Sequence, residues 1–312
     1  MDAETEWQLD QALINSLTVD QVNQAYSQMV RPNESLVILV RSPKREGVVV
    51  PTEEQINAII AEVSAAEIEP YQDNTVIEPL IDPSIVLKGS KAKVTDVNES
   101  LGYTEWTLKN GIKVVVRPST LKADEVFVTA TSKGGLSMLT DEEYYQGAFL
   151  GMVMGQSGIS KFSATELAKQ LSGKSAYASL GAGEYEHTVN AGGSPKDIET
   201  ILQLVYLNFT APRFDETDLQ NMKNMYVPYF KNMESDPNYI VGREFQKTMY
   251  DNHARRQITS AAQIEALNIP TLQAIHSKLY GYADDFRFLI VGNVDLDTLK
   301  PLVEKYLGSL PT

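Results

Sequence analysis

The sequence predicts an α+β fold: a mixed, mostly antiparallel sheet covered by helices, together with a partial copy of the same unit. The prediction rests on the order of the elements, on one hairpin signal and on an internal repeat. Strand-like segments come first in the main body and helix-like segments follow them, the arrangement of an α+β domain rather than of alternating βαβ units.

Taken from the start, Val19–Met29 reads as an amphipathic helix, with Val19, Val22, Tyr26 and Met29 at helical spacing and Thr18 as its N-cap. It ends at Arg31-Pro32-Asn33. Residues 36–40, Leu-Val-Ile-Leu-Val, form a continuous apolar run that suits a strand at a sheet centre. A helix over 53–65 follows, introduced by Pro51-Thr52. From residue 71 to residue 100 the pattern loses any period and reads as an extended connector, the best domain boundary in the chain. Beyond it, residues 103–108 and 112–116 flank Lys109-Asn110-Gly111, the strongest short hairpin signal present. A third strand over 126–130 leads to Gly134-Gly135. Helices near 141–155 and 163–172, a strand pair near 174–191, and helices near 195–208 and 215–233 complete this part.

The repeat emerges when the segment from Ile264 is laid without gaps beneath the segment from Ile14. Leu17 meets Leu267, Val22 meets Leu272, Ser27 meets Ser277 and Met29 meets Leu279. The strands coincide as well, with Leu36, Ile38, Leu39 and Val40 on Phe286, Phe288, Leu289 and Ile290, and a helix follows in both copies, over 51–63 and 296–307. Duplication predicts that 14–63 and 264–307 form one helix–strand–helix unit twice. The chain opens near the end of one copy and closes near the corresponding point of the next, so it is expected to be an interior piece of a longer protein.

Composition narrows the function. With 312 residues, 43% of them hydrophobic and 22% charged, the chain has the make-up of an ordinary globular protein. Its 27 Lys and Arg against 41 Asp and Glu give a formal charge of −14, which argues against a nucleic-acid partner, because neutralising phosphates needs clustered cations. No apolar run approaches the roughly 20 residues that span a bilayer, and the N-terminal residues have no signal-peptide character. The absence of cysteine excludes disulfides, thiol catalysis and thiolate metal sites. It fits the cytosol or a periplasm. The three histidines, His187, His253 and His276, have no His or Glu partner at zinc-ligand spacing, so each is read as a surface or partly packed imidazole. Around His187 the alternation suggests a strand, which sends Glu186 and His187 to opposite faces.

Several segments now carry a resemblance. The run from Trp106 to Val116, with Leu108-Lys109-Asn110-Gly111-Ile112-Lys113-Val114 at its centre, resembles the opening strands of the pitrilysin/insulinase metallopeptidases (M16-like). Gly134-Gly135-Leu136-Ser137 sits where that family has its Gly-Ser segment, and Gly147 opens the stretch where active members carry the inverted zinc motif H-x-x-E-H. Pro212-Arg213-Phe214-Asp215 resembles the family's P-x-F-D element before a long helix, and Gly292-Asn293-Val294 resembles its strand exit. Order and separations match across residues 103–308.

The resemblance permits a test of the chemistry, position by position. The zinc motif works because two His one helical turn apart grip the metal while the Glu activates its water. Here the aligned residues are Leu150, Val153 and Met154, and residues 144–158 contain no His, Asp or Glu in any register. The family's distant Glu ligand aligns with Tyr229, or on a shifted alignment with Met222. These are therefore degenerate metal-site positions, and no catalytic, metal-binding or substrate-binding residue carries over.

What the resemblance implies is the non-catalytic half of a zinc metalloendopeptidase, one that helps enclose a peptide substrate in a chamber and supports the catalytic half. Its layout would be 1–45 as the tail of the preceding αβ domain, 46–102 as helix and inter-half connector, and 103–312 as the parent's third domain. Zinc is expected only in the catalytic half, which lies in the same polypeptide or a partner subunit. The Arg/Tyr pair with which degenerate halves steady substrate belongs to a further domain. Family and cysteine content favour a periplasm or envelope location over the cytoplasm. The alternative is a non-peptidase structural or interaction protein, in the manner of core subunits of respiratory complexes.

Other features have plainer readings. Met152, Met154, Met222 and Met225 read as core filler, and Tyr144, Tyr145 and Phe149 as helix packing, with one exposed aromatic left to line the chamber. Gly181-Ala182-Gly183 is a turn without the Lys-Ser/Thr of a phosphate loop. Asp141-Glu142-Glu143 suits a helix N-terminus.

Overall fold

The computed structural model describes all residues except 30–35, 43–46, 48, 68, 70–71 and 73–75. The chain divides into two units, Met1–Gln72 and Asp73–Thr312.

In the first unit the described elements are helices α1 (Ala3–Ser16), α2 (Val19–Met29) and α3 (Glu53–Ala65). Their starts follow from capping. Asp2 accepts from the Thr5 amide, Thr18 and Gln21 exchange bonds, and Thr52 with Gln55 makes a full capping box. None of the three helices buries a residue. Residues 36–40, expected to be a strand, lie outside any sheet with their apolar side chains exposed. The expected helix–strand–helix duplication is therefore not borne out: helices form on either side, but the strand does not. The reason is pairing: a strand makes no ladder bonds within itself, so its backbone groups stay unpaired until neighbouring strands supply partners, and the described part of this unit offers no other strand.

The second unit is built on seven strands, β1 (Ala92–Asn98), β2 (Tyr103–Leu108), β3 (Lys113–Pro118), β4 (Val126–Lys133), β5 (Ala176–Ala182), β6 (Glu186–Gly193) and β7 (Arg287–Gly292), in the sheet order β1-β2-β3-β7-β4-β6-β5. Only β3 and β7 run parallel; every other pair is antiparallel. The helices are α4 (Asp141–Ser157), α5 (Ala164–Gln170), α6 (Ile198–Thr210), α7 (Glu216–Met233), α8 (Pro237–Met249), α9 (Ala261–Glu265), α10 (Ile269–Tyr280) and α11 (Leu296–Tyr306). The mixed, mostly antiparallel sheet with its helical cover is the fold that the sequence predicts, with α1, α8 and α9 as helices beyond those expected.

Strand periodicity explains why the cover is one-sided. Along β4, Val126, Val128 and Ala130 are buried, and Val114 and Val116 of β3 face Phe288 and Ile290 of β7 across the parallel ladder, all four without solvent contact. Their neighbours in register point the other way: Phe127 and Leu289 remain 45% and 42% exposed. Burial at about 1.5–3 kcal/mol per large aliphatic side chain makes this single apolar face the main source of cohesion.

The segment read as connector is more ordered than expected. Residues 92–98 form the edge strand β1, with a register shift between Val94 and Asp96 that bends this edge away from further pairing. Just upstream, the Ser90 amide donates to the Glu304 carbonyl (2.8 Å), and Gln170 clasps the backbone of both Val76 and Glu78. Connector and strand differ here because alternation is weak on an exposed edge.

At the β2–β3 turn Gly111 sits at φ 94° with nothing near its missing side chain. Gly111→Ala is expected to destabilise the second unit by about 1 kcal/mol through backbone strain alone, read as a small drop in melting temperature. An unchanged melt would mean the turn relaxes to another type.

Candidate functional site

Helix α4 carries the positions that matter. It starts at Thr140, whose hydroxyl accepts from the Glu143 amide (3.3 Å) while the Glu143 carboxylate accepts from the Thr140 amide (3.1 Å), and Asp141, Glu142 and Glu143 occupy its first turn. Lys278 of α10 pairs with Glu143 and, with Thr140, holds its carboxyl below the usual range. The helix packs on β5, α7 and α10. The approach to β5 is close: a Cβ on Gly151 would fall 2.3 Å from the Leu180 carbonyl oxygen, so only glycine fits there.

On the buried side of α4, Leu150 and Val153 are 1% and Met154 4% exposed, all within the main apolar core. Met222 of α7 is buried in the same core, whereas Tyr229 is 58% exposed and stands edge-on to Phe230 at 5.4 Å. The structure therefore brings Leu150, Val153, Met154 and Met222 into one apolar interior and leaves Tyr229 outside it. Two aliphatic side chains and thioethers do not suit zinc, which takes imidazole, carboxylate or thiolate. Among the described residues no group of three or more His, Asp or Glu is placed to hold a metal ion. Of the four methionines read as core filler, Met154 and Met222 are buried but Met152 and Met225 are exposed.

Two histidines depart from the expected surface or partly packed environment. His187 and His276 are almost fully buried, among Phe209, Tyr280 and Phe286. His276 Nε2 donates to the Asn208 carbonyl (2.8 Å), while His187 Nδ1 accepts from the Gly135 amide (3.3 Å) and the ring also bonds to the Leu279 backbone. Burial lowers both pKa values, against the smaller upward pull of the Leu279 bond and Asp285 on His187 and of the Asn208 bond on His276. Both are neutral core groups with structural bonds. A signal for His187 was present, since it shares strand parity with Val189 and Ala191, both buried. His253 is exposed and accepts from the Arg255 amide.

The P-x-F-D element proves to be a helix start. Asp215 accepts from the Thr217 (2.9 Å) and Asp218 (3.2 Å) amides and pairs with Arg213 (2.8 Å), whose Nε donates to the Ser157 carbonyl at the end of α4 (2.7 Å). Asp215→Ala is expected to cost about 1–2 kcal/mol, the range of a lost N-cap, seen as a lower denaturant midpoint at constant slope. Tyr145 likewise ties α4 to the loop after α8, donating to the Ala254 carbonyl and accepting from the Gln257 amide.

Comparison with known proteins finds the following likenesses. The family description "Peptidase M16 inactive domain" matches residues 266–312. A zinc protease PQQL-like of Arabidopsis thaliana is 23% identical over 99% of this chain, which spans 30% of that protein. Among solved structures, the ferredoxin protease FusC, in complex with Arabidopsis ferredoxin, is 20% identical with a TM-score of 0.65 over 85% of this chain and 29% of its own. The periplasmic protease PqqL of Escherichia coli is also 20% identical, with a TM-score of 0.63 over 84% of this chain and 28% of its own. The chain thus spans less than a third of each of these proteins, and the structural likenesses establish the fold.

Proposed function

We propose that this chain is a C-terminal-half sequence of the M16 peptidase family and the non-catalytic part of a zinc-dependent peptidase, forming wall rather than active site of a substrate-enclosing chamber. The observation that supports this reading is that Leu150, Val153 and Met154, the residues aligned with the zinc-gripping positions by the sequence resemblance, are packed into the apolar core. Hydrolysis by zinc needs three protein ligands, an open coordination position and a base at the metal-bound water. An interior of aliphatic and thioether groups supplies none of these. In this reading the three side chains serve packing, and the sheet and helices they hold together support a catalytic half elsewhere in the same polypeptide or in a partner.

The zinc and the peptide chemistry are assigned to that other half, and a periplasmic setting follows the description of the Escherichia coli relative. Among the described residues no helix is long and apolar enough to cross a membrane. The deciding experiment pairs metal analysis with peptide cleavage, first on the purified chain and then on the chain with a family half that contains H-x-x-E-H. Cleavage and stoichiometric zinc are expected only in the second case. Near-equimolar zinc with chelator-sensitive cleavage by the chain alone would overturn the assignment.

A further inference from the structure

Within the second unit, the segment leading into β1, the turn between β2 and β3, and the turn after α11 close around a cavity of ≈ 480 Å³, lined by Lys88, Ser90, Lys109 and Tyr206 and by the apolar side chains of Val86 and Leu310. Hydrogen bonds between distant segments fix its walls. The Gly89 amide donates to Ser309 Oγ (2.9 Å), the Asn110 amide to Ser90 Oγ (2.9 Å) and Asn110 Nδ2 to the Leu307 carbonyl (3.1 Å). A Cβ on Gly308 would fall 2.3 Å from the Ser90 amide nitrogen, so only glycine lets those two segments approach.

What these bonds leave over is a set of donors. Tyr206 is only 9% exposed, yet its hydroxyl has no hydrogen-bond partner among the described residues and still meets solvent at this cavity. The ammonium groups of Lys88 and Lys109 are likewise unpaired among the described residues, and Ser90 Oγ accepts from Asn110 without donating in return. No described Asp or Glu lines the cavity. Glu304, on the adjoining groove, is already held by Lys91 Nζ (2.7 Å) and the Ala92 amide (2.9 Å). In a chain with 41 acidic against 27 basic residues, two unpaired cations around a cavity without a carboxylate reverse the prevailing charge. Their mutual repulsion is relieved by an anion placed between them.

We propose that this cavity binds a small phosphomonoester, its phosphate held by Lys88, Lys109, Tyr206 and Ser90 and its organic part lying against Val86 and Leu310. The chemistry of the lining selects the ligand. A phosphomonoester presents three acceptor oxygens and nearly two negative charges at neutral pH, which match two ammonium groups and two hydroxyls; a carboxylate offers one charge and two oxygens. Lysine serves such groups as a point charge. The volume falls in the range of pockets that hold small organic ligands, which leaves room for an organic part beside the phosphate. Once bound, the ligand ties the segment 86–91 to α6 and to the β2–β3 turn, and so stabilises the second unit by mass action. The site shares no residue with the α4 positions and does not depend on the proposed function.

Isothermal titration calorimetry of the purified full chain with phenyl phosphate, at low ionic strength, tests the proposal. One saturable site is expected, with inorganic phosphate and benzoate each binding at least about tenfold more weakly, and the melting temperature should rise with phenyl phosphate concentration. Tyr206→Phe is expected to weaken binding about tenfold while the ligand-free chain melts as before, because the hydroxyl makes no bond within the fold. Lys88→Gln and Lys109→Gln each weaken binding by at least that factor; neither removes a described contact, so they decide the matter even if Tyr206→Phe disturbs α6. Circular dichroism confirms that each variant keeps its fold. Absence of saturable binding overturns the site, as does affinity that survives the double lysine substitution. Benzoate bound as tightly as phenyl phosphate overturns the assignment to a phosphomonoester.

Discussion

Val153→Glu, which places a carboxyl on the buried face of α4, is expected to abolish cooperative folding of the second unit rather than to create activity. Val153 is 1% exposed among Leu150, Met154 and the helices packed on α4, and among the described residues the buried core around it holds no Lys or Arg to meet a carboxylate. A carboxyl buried without a partner costs several kcal/mol even after it takes up a proton. Domains of this size are stable by only about 5–15 kcal/mol in total, so the substitution removes a large share of the margin. Adding Leu150→His and Met154→His deepens the loss and leaves the distant ligand absent, since Met222 is a buried thioether and Tyr229 faces solvent. Thermal denaturation followed by circular dichroism reads the effect directly. A variant that melts near the unsubstituted chain would show that α4 can turn this face outward, and the assignment of Val153 to the core would be wrong.

Acidification should destabilise the protein well before its carboxylates titrate. His187 and His276 both have pKa values below the ordinary histidine value, chiefly because burial penalises the charged ring. In the unfolded chain they titrate near pH 6.5. Above that value both states are neutral and the full stability is present. Below it the unfolded chain takes up protons that the fold refuses, and stability falls by about 1.4 kcal/mol per pH unit for each histidine until the folded-state values are reached. Geometry reinforces the sign, because a proton on His187 Nδ1 would confront the Gly135 amide that now donates to it. Urea midpoints should therefore drop between about pH 7 and about pH 5, and His187→Phe with His276→Phe should flatten that dependence despite lower stability at neutral pH. Equal midpoints across the range in the unsubstituted chain would mean that these rings are charged or hydrated in the fold.

Much of the architecture was legible because it depends on local pattern. The turn at Asn110-Gly111, the capped starts of α2, α3 and α4, the alternation in β2, β3 and β4, and the helical spacing in α4, α6 and α7 all encode their own structure through hydrogen bonds and periodicities of a few residues. The residue types at 150, 153 and 154 were legible for the same reason: aliphatic and thioether side chains are poor zinc ligands whatever surrounds them.

What the sequence by itself determined, then, is the fold class, the apolar side chains at the α4 positions 150, 153 and 154, and the exclusion of thiol chemistry. Only the tertiary structure decided which apolar runs find partners. Residues 36–40 and 286–290 share one pattern, yet the second lies within a paired sheet between β3 and β4 while the first has no strand beside it among the described residues. It also decided that His187 and His276 lie inside, that Tyr229 lies outside, and that 92–98 joins the sheet. The physical reason is common to all of them. Burial and strand pairing are contributed by residues far away in the chain, so a local pattern states what a segment is able to do, and its distant neighbours settle whether it does so.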